Sequence, residues 1–116
     1  MRFTKKVLLI GKKSEKEVDL FIDTGSEHST IDKKIANELG YVKVADVDLY
    51  DIHMKPTRAE LTVFAAKING CKGHFQTVVS KGAGNTIGAS ALQQLGAKVD
   101  MKNEDITITH CEPYHI

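Results

Sequence analysis

The sequence predicts a mainly β domain with one or two short helices. Three observations carry that expectation. Short runs rich in β-branched and aromatic residues recur between turn signals, as in VDLFI at 18–22 and DITIT at 105–109. Asn69-Gly70 is a strong two-residue hairpin signal between two such runs. Apolar residues take helical spacing in just two short places, 31–39 and 91–95.

Taken in order, residues 3–10 (FTKKVLLI) predict a first strand, 11–17 a polar turn and 18–22 a second strand. The chain then turns on Asp23-Thr24-Gly25-Ser26. Ile31, Ile35 and Leu39 fall at i, i+4 and i+8 beside Ala36, which predicts a short helix with Thr30 as N-cap and Gly40 as its stop. Residues 42–52 predict extended chain, and 53–58 a hairpin tip. Pro56, with its preset φ and missing amide donor, suits that tip better than a central strand. Strands follow at 59–68 and 74–80, with a glycine-containing loop at 81–85 and a last strand at 105–109.

One stretch echoes another. IDTGSEHSTIDKKIANELG runs strand, small-residue turn, short helix, Leu-Gly, and NTIGASALQQLG at 85–96 repeats that order. Two such units predict an internal two-fold arrangement.

A length of 116 residues suits one domain, 1–116, and leaves much surface relative to volume, so association with a second copy would help it. Hydrophobic content is 41%, charged content 27% and net charge +1, with acids and bases mixed. That balance argues against binding nucleic acid or a membrane surface through bulk charge. The apolar run Val7-Leu8-Leu9-Ile10 is too short for a signal core or a membrane span, so a cytoplasmic location is expected. Cys71 and Cys111 form no paired motif, and reduced thiols are expected.

The unusual stretch is FIDTGSEHST at 21–30, where apolar residues run into a lone aspartate. An ionised carboxylate among apolar residues is costly unless something pairs with it. Asp23, preceded by Leu20-Phe21-Ile22, followed by Thr24-Gly25-Ser26 and by the helix ending at Leu39-Gly40, resembles the active-site loop of retroviral-type aspartic proteases, the retropepsins. Ile87-Gly88 with Leu92 and Leu95-Gly96 is similar to the hydrophobic-hydrophobic-Gly segment near the end of that domain. The resemblance covers roughly 5–108 and leaves 109–116 as a tail.

That resemblance implies a small closed β-barrel of the acid-protease type with crossed loops near the site, and a homodimer. Aspartic-protease chemistry uses two adjacent carboxylates that share one proton. With one Asp-Thr-Gly per chain, the second carboxylate must come from a second copy. It further implies that Asp23 is catalytic, that Thr24 bonds across the dimer, and that Gly25 permits close backbone approach. Ser26 would donate to the outer oxygen of Asp23, and Glu27 and His28 would meet substrate. Met54 would sit on a lid, Ile87 would line the pocket, and Gly88 would pack against the catalytic loop. The substrate would be a peptide or protein, and no metal or organic cofactor is implied. Each residue also has a plainer reading: Asp23, Ser26 and Gly25 in an ordinary turn, Thr24 at a strand end, Glu27 and His28 solvated, Ile87 and Gly88 in the core.

Two departures from the family pattern stand out. Ala89 follows Gly88 where many retropepsins carry Arg, which removes an ion pair with the Glu27 position. No glycine lies between Gly40 and Gly70, so a lid at 53–58 would be stiffer than a glycine-rich one. His53, Lys55 and Arg58 on that segment would suit acidic peptides. These departures motivate a second reading, a catalytically inactive protease-like dimer used for binding or assembly. A third is a monomeric β-barrel in which Asp23 only caps a turn. His110, Cys111 and His115 match no common zinc spacing, and nothing marks Cys71 as a nucleophile.

Overall fold

The computed structural model describes residues 2–50 and 52–108. Its elements are β1 (Arg2–Ile10), β2 (Glu15–Asp23), β3 (Thr30–Asp32), α1 (Lys33–Leu39), β4 (Ala45–Tyr50), β5 (Pro56–Ile68), β6 (Cys71–Ser80), β7 (Thr86–Ile87), α2 (Ala89–Leu95), β8 (Ala97–Asp100) and β9 (Asp105–Ile108). The protein is mainly β, as its strand patterning predicts.

Seven strands form one sheet in the order β1-β2-β7-β3-β6-β5-β4. A further antiparallel pairing of β1 with β5, Leu8–Ile10 against Ala65–Lys67, closes six of them into a ring. Only β4 stands outside the ring, where it pairs with the first half of β5 as a projecting hairpin. β8 and β9 make a separate two-stranded sheet.

The middle of the ring carries the internal symmetry. β2 runs parallel to β7, and β6 runs parallel to β3. β3 and β7 meet antiparallel at Thr30 and Thr86. Each long strand therefore leads through a loop into a short strand that pairs with the other long strand, and each short strand leads into a seven-residue helix. The sequence echo is a repeat of topology. Alternation in β2 sends Val18, Leu20 and Ile22 inward, where they join Leu9, Ile31, Phe64, Phe75, Ile87 and Leu95 in one core.

Several boundaries differ from expectation. The 11–17 turn is shorter, because Glu15, Lys16 and Glu17 pair with Ile10, Leu9 and Leu8. The expected helix start at Ile31 is a strand. Thr30–Asp32 pair with Val78–Ser80, and the helix begins at Lys33 with Asp32 as its cap residue. Ile31 reaches the core from that strand, so its i, i+4 relation to Ile35 is coincidental. Gly40 does end the helix, at φ 81°, returning its N–H to Ala36 O. Pro56 is the first residue of β5 and pairs with Tyr50, a position where a missing N–H is tolerated. β8 has no counterpart among the expected strands, since four residues that alternate between half-buried and exposed give too short a pattern to mark a strand.

Cys71 is disulfide-bonded, which corrects the expectation of reduced thiols. The turn before Cys71 lies against β9, where Asn69 Nδ2 donates to Ile106 O at 2.8 Å. The other cysteine, Cys111, lies outside the described residues, as do His110, His115 and the last residue of the expected 105–109 strand.

Candidate active site

Asp23 is the last residue of β2 and is half-buried, while Thr24 and Gly25 beyond it are exposed. The Asp23 carboxylate accepts the Gly25 N–H at 3.2 Å through Oδ1, and its backbone carbonyl accepts the Ser26 N–H at 3.2 Å. The carboxylate is thus tied to its own turn. Ser26 does not reach it: the Ser26 hydroxyl donates instead to His28 O at 3.1 Å. Gly25 has open space around its Cα, with Asp23 Oδ1 3.5 Å from where a Cβ would sit. Glu27 and His28 are exposed at the outer edge of the same loop.

The loop is held from behind by the β7–α2 junction. The first N–H groups of a helix have no partner within it. Here the Ala89 N–H donates to Ser26 O at 2.6 Å and the Ser90 N–H to Glu27 O at 3.2 Å. Gly88 donates to Ser29 Oγ at 2.9 Å. Ala89 brings no side-chain charge to Glu27, yet its backbone supplies a brace of another kind. Gly88 lies so close to the loop that an added Cβ would fall 2.5 Å from Ser26 O, 2.6 Å from His28 O and 2.9 Å from Glu27 O. A glycine is required here by space, since its φ of −96° suits any residue. Ile87 is fully buried and contributes its side chain to the core.

Sequence reasoning missed the polar residues that lock the two loops together. Asn85 O accepts the Phe21 N–H at 2.9 Å, and Asn85 Oδ1 accepts the Asp32 N–H at 2.9 Å. Thr30 and Thr86 share a hydroxyl contact of 3.0 Å, and Thr30 Oγ1 donates to Gly84 O at 2.7 Å. Ser29 is buried beneath them. The available signal was the matching of small polar residues, Ser29-Thr30 against Asn85-Thr86, at equivalent places in the two repeats.

Met54 lies at the tip between β4 and β5, exposed and with φ of 60°. The tip turns through the left-handed region without a glycine. Tyr50 and Ile52 are exposed beside it. Midway along the hairpin, Arg58 pairs with Asp48 at 3.7 Å, and nearer its base lies Glu60. Glu60 accepts from the Tyr41 hydroxyl and pairs with Lys33 at 3.4 Å.

No protein-family model and no curated protein matches the sequence. Solved structures do match in shape. EIAV protease complexed with the inhibitor HBY-793 is 20% identical, with a TM-score of 0.65 over 87% of this chain and 94% of that one. The retroviral protease-like domain of Ddi1 from Leishmania major is 20% identical, with a TM-score of 0.64 over 92% of this chain and 89% of that one. With its closed strand ring, its paired parallel crossings and its Asp-Thr-Gly turn at the end of β2, the chain has the retropepsin-like fold.

Proposed function

We propose that this protein is an aspartic endopeptidase that works as a homodimer. The observation that carries the reading is the position of Asp23: a half-exposed carboxylate at a strand end, on a loop braced by three backbone N–H groups of the β7–α2 junction, within a retropepsin-like fold. Asp23 and the same residue of a second copy would form the dyad. One carboxylate takes a proton from a bound water as its oxygen attacks the scissile carbonyl carbon, and the other, protonated, donates to that carbonyl oxygen. Collapse of the tetrahedral intermediate breaks the C–N bond, and the leaving nitrogen takes up a proton. The two carboxyls titrate as a unit. Thr24 and Gly25 would hold the turn against its partner, and Glu27, His28 and Met54 would meet the peptide.

The test is cleavage of a mixed-peptide library from acid to neutral pH, read by mass spectrometry, alongside the Asp23→Asn protein. Cuts that disappear in the variant support the proposal. A stable dimer with no cuts would replace it with the binding-module reading, which the absence of an Arg at Ala89 favours.

A further inference from the structure

β5 is paired on one side by β6 from Glu60 to Ile68, against Val79–Cys71. Its other side is shared. β4 covers Pro56–Leu61, and β1 covers Ala65–Lys67. On that side Thr62, Val63 and Phe64 lie between the two pairings, with no strand of the described residues beside them. The direction of the backbone there follows from parity. Leu61 O accepts the Val44 N–H at 2.8 Å on the β4 side. In an antiparallel strand the N–H and C=O of a residue point the same way and alternate along the chain. Val63, two residues on, therefore directs both its N–H and its C=O into the gap.

That gap is the floor of a cavity of about 430 Å³, a volume in the range of small-ligand sites. Its walls are Ile10, Gly11 and Lys12 on one side and Tyr41, Val42 and Val44 on the other. Val42, Val44 and Val63 are about half exposed, an apolar group left open to water. The charged or titratable side chains that line it are Lys12, Lys72, His74 and Tyr41, whose hydroxyl is taken up by Glu60, and no acidic residue lines the cavity among the described residues. The walls are fixed in place. A Cβ on Gly11 would fall 2.2 Å from Leu39 O, so the β1–β2 turn is packed directly on the end of α1. Buried Thr62 donates through Oγ1 to Val42 O at 2.6 Å, which pins the opposite wall.

We propose that this cavity captures the free C-terminal carboxylate of a short apolar peptide. Each feature narrows the occupant. The apolar walls call for an apolar side chain. The rim lysines, which face no acidic side chain among the described lining residues, call for an anion, and a carboxylate can also accept the Val63 N–H. The Val63 carbonyl calls for an N–H donor on the same ligand, which the last amide of a peptide provides and a fatty acid lacks. A chain running on through the site is excluded by length. A strand laid along Thr62–Phe64 meets Val44 at one end and Ile10 at the other, so the ligand must end there. Capture of a terminal carboxylate by backbone amides and cations is a known recognition mode. The site shares no lining residue with the Asp23 loop, and the proposal stands apart from the chemistry at Asp23.

The test is a titration of ¹⁵N-labelled Asp23→Asn protein, which cannot consume the probe by the proposed chemistry. The probe is N-acetyl-Leu-Val-Val with a free carboxylate, against the same peptide as its C-terminal amide and against octanoate. The expected result is amide shifts at Val42, Val44, Val63 and Ala65, with the free carboxylate binding about tenfold more tightly than the amide. Replacing both Lys12→Gln and Lys72→Gln, exposed residues outside the core, should weaken the carboxylate peptide to the level of the amide. Shifts confined to the Asp23 loop and hairpin tip, equal binding of acid and amide, octanoate binding as well as the peptide, or no shifts at all would each overturn the proposal. Loss of this site would leave the proposed proteolysis standing, and an inactive Asp23 would leave this site standing.

Discussion

The hydroxyl of Ser29 accepts the N–H of Gly88 at 2.9 Å, inside a region closed to solvent. The bond joins the two repeats of the chain at the point where the Asp23 loop leaves one and α2 enters the other. It also explains how a loop of small residues keeps one shape. Its own internal bonds are few, so its geometry is borrowed from the β7–α2 junction behind it.

Removing the hydroxyl should therefore cost more than an exposed serine would. Ser29→Ala orphans a buried N–H, a loss of about 1–3 kcal/mol. Gly88→Ala drives a methyl into three backbone carbonyls, none of which can swing aside as a side chain would. Overpacking of this kind costs about 1–3 kcal/mol and here falls at the upper end or beyond. Urea unfolding should show lower midpoints with unchanged slopes for both. A Gly88→Ala protein as stable as wild type would mean that the loop is free to retreat.

Asp23→Asn keeps the Oδ1 acceptor for Gly25 and removes the charge. Its unfolding midpoint should match wild type closely. Under the proposed mechanism its peptide cleavage should fall by about a thousandfold or more, with kcat and kcat/KM falling together. Full activity in the purified variant would exclude Asp23 from the chemistry.

The candidate loop is more legible in the sequence than its supports. Asp23, the Gly25 turn and the Gly88 echo stand out because their residue types are costly or unusual in strands. The strand at Thr30–Asp32 did not, because Ile31, Ile35 and Leu39 imitate one helical face although they reach the core from two elements. A three-residue strand held on both sides by distant partners has no local signature. The ring closure between Ile10 and Ala65 is hidden for the same reason: it joins segments 55 residues apart through backbone groups alone.

The Tyr41–Glu60 bond gives the hairpin base a pH signature. Burial, and then the bond to Glu60, pushes the Tyr41 hydroxyl up to about 12. The same bond, with help from the Lys33 charge and against some desolvation, holds Glu60 below its ordinary value of 4.5. A lowered carboxylate contributes stability above its unfolded value and loses it as pH falls through the folded one. A raised tyrosine contributes below its unfolded value of 10.0 and loses it as pH rises toward about 12. The pair is thus fully effective between those limits. Tyr41→Phe should destabilise the protein by about 1 kcal/mol at neutral pH. The difference from wild type should shrink in acid as Glu60 takes up its proton. An equal difference at both pH values would show that the bond to charged Glu60 contributes nothing.

The hairpin tip offers the sharpest separation of folding from function. Ile52 is 93% exposed and Met54 72% exposed, so neither contributes much burial to the isolated fold. Met54 also holds φ of 60°, a left-handed conformation that costs an unbranched L-residue roughly 1 kcal/mol or more and that asparagine adopts more readily. Met54→Asn should therefore leave stability unchanged or raise it by about 0.5 kcal/mol. Ile52→Ser should leave it unchanged. If the tip covers a bound peptide, both variants lose apolar contact made alike to substrate and transition state. That loss raises KM and leaves kcat nearly constant. Steady-state kinetics on one good peptide, with unfolding curves for the same preparations, would check both halves. An unchanged KM in both variants would remove the tip from the substrate site, whatever Asp23 does beneath it.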